Sequence, residues 1–192
     1  MSNVSSLSFV HKKGLFGDFE NKDENNLIKI KEIININLFQ IVKYKNSNEN
    51  ISNFKIDGLT LSETLKTSNN AFTRVIWMGP DNWYVYSTKN ISDDLKIFNE
   101  QNFAVTNLSQ SRSIIELEGN MVYEVLKKGS PLDINKLKSG ECANTVYNGI
   151  TITLDFISNN PNIIRIFGLR SFGESLYHSI TDACLEFGYK SE

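Results

Sequence analysis

Two glutamates separated by one residue form a carboxylate pair whose spacing could support acid–base chemistry. Glu116 and Glu118 flank Leu117 in a segment with the apolar, β-branched composition of a strand. Side chains two residues apart on a strand point to the same face, so the two carboxyl groups would lie side by side. Such a pair could serve as general acid and base. It is more often a solvated strand face, and we favour that interpretation.

Two arginines stand where a guanidinium could bind an anion. Arg112 directly precedes the same strand, and Arg170 opens the last predicted helix, where free backbone N–H groups also attract negative charge. Either guanidinium could hold a carboxylate or a phosphate through two hydrogen bonds. Either could equally pair with an acidic residue within the fold or across an interface. We favour the ion-pair role for both.

Aromatic side chains surround a predicted hairpin turn, with Trp77 before it and Trp83 after it. Together with Tyr84 and Tyr86 they give the hairpin two aromatic faces. The simplest interpretation is that one face packs in the core and the other contacts a partner protein, with Trp83 as the candidate contact. A stacking site for a flat ligand such as a pterin is the alternative.

An apolar patch at residues 15–19 interrupts a polar, aperiodic N-terminal segment. Phe16 and Phe19 could dock on a partner protein as part of an arm. The segment could equally be a frayed terminus. The sequence leaves these two interpretations open.

Several classes of function lack their sequence signatures. There is no phosphate-binding glycine loop and no G-x-S-x-G nucleophile motif. Cys142 and Cys184 lie far apart, and His11 and His178 have no nearby His or Cys, so a metal site is not expected. The formal net charge of −2 and the lack of a basic run argue against nucleic-acid binding. With no signal peptide and no membrane-length apolar stretch, we expect a cytoplasmic protein that does not bind membranes.

The elements that position these residues repeat in the two halves of the chain. The 192 residues are 40% hydrophobic and 22% charged, which suits one domain or two small fused units. Each half has the predicted order strand, helix, hairpin, helix. The first half has these elements at 39–44, 59–68, 73–86 and 92–101, and the second at 113–117, 120–128, 150–167 and 171–187. Capping boxes at Thr60 with Glu63 and at Ser171 with Glu174 mark two of the helices.

This repeat predicts an α+β fold of two split β-α-β (ferredoxin-like) units, with antiparallel or mixed sheets and helices on one face. The predicted organisation is an N-terminal arm at 1–28, a first unit at 29–108 and a second unit at 109–192. We expect the two units to pack as one compact body.

Five segments in fixed order resemble the gamma subunits of heterotetrameric sarcosine oxidases. They are IWMGPDNW at 76–83, VTNLSQSR at 105–112, LKKGSPLD at 126–133, GECANT at 140–145 and LRSF at 169–172. The resemblance covers residues 71 to 188, and the ordered set is more specific than any one segment. Ser130 stands where the family often has Cys, and Asn107 where it often has Asp, so no thiol role is expected at position 130.

The resemblance implies a non-catalytic structural subunit of a complex that oxidatively demethylates sarcosine to glycine and transfers the one-carbon unit to tetrahydrofolate. It implies alpha, beta and delta partner subunits. These would carry FAD, FMN, NAD, tetrahydrofolate and zinc, and this chain would carry no cofactor. It also implies a fold similar to the folate-binding part of the aminomethyltransferase. The lack of catalytic motifs agrees with such a role.

Two other hypotheses stay open. A stand-alone folate-binding, aminomethyltransferase-like protein would need an acidic residue in a concave pocket. Asp81 is the only attractive candidate, although an aspartate in a turn is more often a turn former. A small-molecule sensor built from the doubled units would form a homodimer and bind its ligand between the halves.

Overall fold

The computed structural model describes residues 4–192, which contain fourteen strands and three α-helices. The strands are β1 (Gly14–Phe16), β2 (Ile28–Glu32), β3 (Asn37–Lys43), β4 (Lys55–Ile56), β5 (Leu59–Thr60), β6 (Thr67–Asn69), β7 (Thr73–Gly79), β8 (Asn82–Ser87), β9 (Phe103–Asn107), β10 (Arg112–Glu118), β11 (Cys142–Tyr147), β12 (Ile150–Asn159), β13 (Asn162–Leu169) and β14 (Tyr189–Ser191). The α-helices are α1 (Ser92–Leu95), α2 (Val122–Gly129) and α3 (Gly173–Cys184). Short 3₁₀ turns lie at Glu24–Asn26, Ile51–Asn53, Ile134–Lys136 and Arg170–Phe172.

The chain forms two units, and the N-terminal segment belongs to the second of them. The described part of the first unit is Asn35–Gln110, and the second combines Val4–Ile34 with Ser111–Glu192. The structure therefore differs from the predicted separate arm at 1–28. The physical reason is that β1 and β2 pair within the sheet of the second unit, and Leu7 is fully buried in its core. The expectation that the two units form one body stays a prediction.

The second unit is a seven-stranded sheet with α2 and α3 packed against one face. Its strand order is β1-β14-β2-β10-β13-β12-β11, antiparallel except for the parallel pair β14–β2. Alternate residues of the central strands, such as Ile115 and Leu117 or Ile164 and Ile166, join the helices in a single apolar core. Period-two alternation in the sequence is what places them there.

Helix α2 confirms the prediction for residues 120–128 and ends against an aromatic ring. Val122, Val125 and Leu126 are buried in the core. Gly129 closes the helix, and a Cβ at this position would lie 2.7 Å from the ring of Tyr147. Only glycine fits so close to that ring, so packing against Tyr147 and not a left-handed helix end requires glycine at this position.

Helix α3 forms where predicted but starts and ends differently. A 3₁₀ turn at Arg170–Phe172 precedes it, and its N-cap residue, Phe172, makes no side-chain capping bond. The predicted capping box of Ser171 and Glu174 is therefore not formed. After the helix, the chain turns into strand β14, which the sequence analysis missed because a three-residue strand carries almost no periodic signal.

The first unit is a five-stranded antiparallel sheet of order β6-β7-β8-β3-β9. A separate two-stranded hairpin of β4 and β5 lies between β3 and β6 in the sequence. The predicted hairpin is confirmed as β7 and β8. Asp81 in its turn has a positive φ of 54°, which Asp tolerates better than most residues. Asp57 and Gly58 form the turn between β4 and β5, with positive φ at both residues.

The first unit lacks the helices that the repeat predicted. The predicted helix at 59–68 is wrong, since this stretch forms β5, a loop and the start of β6, with Leu65 at a φ of 60°. A left-handed residue ends any α-helix. The predicted helix at 92–101 is reduced to the four residues of α1. The α+β class is confirmed as a mostly sheet fold with few helices, whereas two matching split β-α-β units are not observed.

Candidate functional site

The two glutamates share one sheet face, as predicted, and each has its own cation. Glu116 lies opposite Arg165 on β13, and Glu118 lies opposite Lys29 on β2. Arg165 donates its Nε–H to Glu116 Oε2 at 2.6 Å, and Lys29 Nζ lies 2.7 Å from Glu118 Oε1. Both carboxylates of the pair are thus held by a cation, and neither is left to act as a proton acceptor for the other. The pair therefore forms cross-strand ion pairs instead of an acid–base dyad.

The Glu116–Arg165 ion pair belongs to a row of polar residues that crosses the sheet. Lys31, Glu116, Arg165, Asp155 and Cys142 lie opposite one another on five successive strands. Asp155 and Cys142 are fully buried. Burial raises the pKa of Glu116, while the neighbouring charge of Lys31 lowers it. Alternating charges across neighbouring strands favour one register, so we interpret the row as a register-fixing feature.

Arg112 begins strand β10 and is directed back toward the preceding residue. It lies opposite Leu169, and its Nη1 donates to the carbonyl and the hydroxyl of Ser111, both at 3.2 Å. The side chain is half-buried. These contacts position the connection into β10. The predicted anion or partner contact at Arg112 stays a prediction.

Arg170 holds the N-terminal segment of the chain. Its Nη2 donates to the carbonyl oxygen of Val4 at 2.9 Å and to that of Ser5 at 3.4 Å. Among residues 4–192 it forms no ion pair with a carboxylate. The guanidinium therefore keeps donors for a further acceptor. The predicted ion pair is not found within the described chain.

The hairpin aromatics lie mainly in the interior of the first unit. Trp83 is 2% exposed, and its Nε1–H donates to the carbonyl oxygen of Ser62 at 2.8 Å. Trp77 is half-buried and packs against the same apolar cluster, and Tyr84 and Tyr86 are buried. The expectation that Trp83 contacts a partner needs correction, because almost none of its side chain is accessible. A pterin stack at Trp83 has the same obstacle.

Phe16 and Phe19 belong to folded structure and not to a frayed end. Phe16 lies opposite Tyr189 in the β1–β14 pair, and the two rings stack at a centroid distance of 5.2 Å. Phe19 is half-buried. Both keep part of their surface accessible, so a partner contact by either residue stays a prediction.

The anchoring of the first residues is the main feature that the sequence analysis missed. The Glu32 carboxylate accepts hydrogen bonds from the Ser5 hydroxyl and, at 2.8 Å, from the backbone N–H and the hydroxyl of Ser6. His11 contacts the Tyr177 hydroxyl through Nδ1 at 3.0 Å and the Glu192 carbonyl through Nε2 at 2.7 Å. A short polar segment gives no periodic signal for such contacts.

Two open surface cavities, one in each unit, could accept a small ligand. The first unit has a cavity of about 450 Å³ with mainly apolar walls, including Phe39, Phe98 and Phe103, and with Lys96 and Glu100 in its lining. The second has a cavity of about 500 Å³ along α3, with lining residues His178, Ser179, Thr181, Asp182, Leu185 and Tyr189. Neither contains the converging charged groups expected of a catalytic centre.

The described residues offer no cluster of metal ligands and no membrane-spanning helix. Within residues 4–192, no three His, Cys, Asp or Glu side chains are placed to hold one metal ion. None of the helices in this range is long and apolar enough to cross a lipid bilayer. Asp81, the acid considered for folate chemistry, forms the hairpin turn and lies 3.6 Å from Lys43 Nζ.

The fold resembles that of an aminomethyltransferase. The glycine cleavage system aminomethyltransferase T from Bartonella henselae aligns with a TM-score of 0.60 and 12% identity, over 82% of this chain and 46% of that one. A chain of the heterotetrameric sarcosine oxidase from Corynebacterium sp. U-96, solved in complex with pyrrole 2-carboxylate, aligns with a TM-score of 0.76 and 22% identity, over 86% of this chain and 87% of that one.

The sequence is similar to one particular subunit of that oxidase. It is 31% identical over 126 residues to sarcosine oxidase subunit gamma of Corynebacterium sp. strain U-96. The match covers 60% of this chain and 58% of the relative, which is less than two thirds of its length. No family model matches the sequence. The resemblance to sarcosine oxidase gamma subunits is thereby confirmed.

Proposed function

We propose that this chain is a gamma-type subunit of a heterotetrameric sarcosine oxidase. The observation that carries the proposal is the 31% identity to a gamma subunit over 126 residues. The fold supports it, since the alignment to a chain of the solved heterotetramer covers 87% of that chain. The complex would oxidatively demethylate sarcosine to glycine and transfer the one-carbon unit to tetrahydrofolate.

Within this complex we assign the chain a structural role without catalysis. Its candidate acids, Glu116 and Glu118, are neutralised by Arg165 and Lys29. Its candidate arginines, Arg112 and Arg170, donate to backbone carbonyl groups nearby. The ion pairs of the two glutamates favour a scaffold, because carboxylates held by cations within the fold are poorly placed for proton transfer.

The partners in this proposal are the alpha, beta and delta subunits. They would carry FAD, FMN, NAD, tetrahydrofolate and zinc, and this chain would carry none of them. The two cysteines are buried free thiols, which suits a reducing compartment such as the cytoplasm. Of the contact residues predicted from the sequence, Arg112, Arg170, Phe16 and Phe19 remain candidates.

A stand-alone folate-binding, aminomethyltransferase-like protein is the alternative to be excluded. The likeness to the Bartonella aminomethyltransferase concerns the fold alone. Asp81, the acid that this function would need, forms a hairpin turn and lies outside the lining of both cavities described above. Asp81 is therefore not placed in a concave site, as this function would require.

Co-expression tests the proposal. The chain is produced with the large subunits of a sarcosine oxidase from the same source, and the purified material is analysed for subunit ratio by native mass spectrometry. One copy of this chain per complex is the expected result. A chain that purifies alone and binds tetrahydrofolate at micromolar concentration would replace the oxidase proposal by the folate alternative.

A further inference from the structure

The second unit exposes four large apolar side chains around the start of α3. Phe9 is 86% exposed, Val4 66%, Phe172 49% and Leu169 43%. Leu169 directly precedes the 3₁₀ turn that leads into α3, and Phe172 is the last residue of that turn. Single exposed apolar residues are normal on a protein surface, but four large ones in two short segments indicate an interaction surface. We call Val4, Phe9, Leu169, Arg170 and Phe172 the α3 entry surface.

Direct contacts hold the two segments of this surface together. Arg170 donates to the carbonyl oxygens of Val4 and Ser5. Leu7 is fully buried, and its Cδ2 lies 3.5 Å from the position that a Cβ on Gly173 would occupy. The α3 entry surface is therefore one region of the second unit and not two separate patches.

Phe9 is presented on a fixed turn. The backbone N–H groups of Val10 and His11 both donate to the carbonyl oxygen of Leu7, at 2.9 and 2.7 Å. Before the turn, Ser6 is bound by Glu32, and after it His11 contacts Tyr177. An exposed aromatic side chain on an anchored backbone loses little backbone freedom when it binds, which is the property of a good interface anchor.

Arg170 adds a positive charge to the α3 entry surface. Arg170 has no ion-pair partner among residues 4–192, and Glu32, the acid that anchors the same segment, is already bound by Ser5 and Ser6. The guanidinium keeps donors beyond the two carbonyl contacts. An apolar surface with a free arginine is complementary to an apolar surface that carries a carboxylate.

We propose that the α3 entry surface docks onto a larger subunit of the sarcosine oxidase complex, through an apolar pocket and a carboxylate on that subunit. The inference rests on the proposed function, which supplies the larger subunits. The test below also asks whether a second copy of this chain occupies the surface instead.

The test measures binding of the purified chain to the purified large subunits. Phe9→Asp, Phe172→Asp and Arg170→Glu are each expected to weaken binding by about tenfold or more, because interface anchors of this kind dominate binding energy. Ile97→Asp, at a residue of the first unit that is 46% exposed, is the matched control and is expected to bind like the wild type. Thermal unfolding of each variant checks that its fold is intact. Arg170→Gln adds a second readout, a shallower dependence of the association rate on salt.

The outcomes separate the two proposals. If the wild-type chain binds the large subunits and all four α3 entry variants bind equally well, the docking surface is wrong and the subunit assignment stands. If the wild-type chain does not bind at all, both proposals fail. If the isolated wild-type chain is a dimer by light scattering and Arg170→Glu or Phe172→Asp makes it monomeric, a second copy occupies the surface and the inference is overturned.

Discussion

Arg165 on β13 donates its Nε–H to Glu116 on β10 at 2.6 Å. Glu116, one of the two glutamates considered for acid–base chemistry, is therefore part of an ion pair. On its other side Arg165 lies opposite the fully buried Asp155 on β12. Arg165 therefore lies opposite an acid on each neighbouring strand, and this charge pattern favours one register of the three strands. The same contact explains why the glutamate pair indicates strand pairing and not catalysis.

Removing Glu116 and removing Arg165 should destabilise the second unit to different extents. We expect Glu116→Gln to lower the free energy of unfolding by about 1–2 kcal/mol, because Arg165 keeps Asp155 as a neighbour. We expect Arg165→Met to cost about 3 kcal/mol or more, because it leaves the largely buried Glu116 carboxylate without its ion-pair partner. Urea unfolding of both single variants and of the double variant gives the coupling energy.

The more exposed pair of Lys29 and Glu118 is the control for this cycle. Its members are 30% and 21% exposed, so its coupling energy should stay below about 1 kcal/mol. Equal coupling in both cycles would contradict a special role for Arg165.

Asp57 in the β4–β5 turn should make the stability of the protein depend on pH. Hydrogen bonds from Lys89, Asn70 and Thr73 lower the pKa of Asp57 from 3.8 to about 2. Because the pKa is lower in the folded state, the folded protein binds fewer protons, and the contribution of Asp57 is present above about pH 4 and lost toward pH 2. Asp57→Asn should therefore lower Tm at pH 6 and have a much smaller effect near pH 2.

Asp93→Asn is the control for the pH experiment, since the Asp93 carboxylate is 93% exposed on α1. It removes the same charge without breaking a network of three donors. A Tm difference between wild type and Asp57→Asn that stays constant from pH 6 to pH 2 would refute this account of the turn.

Trp83 should contribute to stability and not to assembly. Trp83→Phe removes the Nε1–H donor and leaves the Ser62 carbonyl without that bond in a buried place, at a cost of about 1–3 kcal/mol. Thermal unfolding measures this cost, and co-purification with the large subunits measures assembly. Loss of co-purification at a temperature where the variant is still folded would restore Trp83 as a partner contact.

Two neighbouring residues of the N-terminal segment should have opposite roles. Leu7→Ala is expected to cost about 2–5 kcal/mol, because Leu7 is fully buried in the core of the second unit. Phe9→Ala, at a side chain that is 86% exposed, should leave the free energy of unfolding nearly unchanged. Chemical denaturation of both variants compares them directly. Equal losses would mean that the segment is not anchored through Leu7.

The sequence predicted best where local patterns agree with tertiary packing. The β7–β8 hairpin, the strand β10 and the helix α2 all have strong alternation or clear end signals, and all three form where expected. The helix predicted at 59–68 failed because a capping box with two leucines behind it is a weak signal. Tertiary context overrides it: Leu61 and Ser62 are buried in the extended loop, and the Ser62 carbonyl accepts the Trp83 bond.

The candidate site was predicted only in part, because its contacts are long-range. That Glu116 and Glu118 share a face follows from strand geometry alone. That Arg165 lies opposite Glu116 depends on which strands become neighbours, and that Arg170 binds the carbonyl of Val4 depends on residues 166 positions apart. No local pattern contains either pairing.

Sarcosine-dependent hydrogen peroxide formation tests the central claim most directly. The complex is purified with and without this chain, the flavin content is equalised, and the rate per flavin is compared, with the isolated chain assayed alone. We predict an active complete complex, a much lower rate or no assembly when the chain is omitted, and no activity from the isolated chain. Full activity and intact assembly without the chain would contradict its role as a structural subunit of the oxidase.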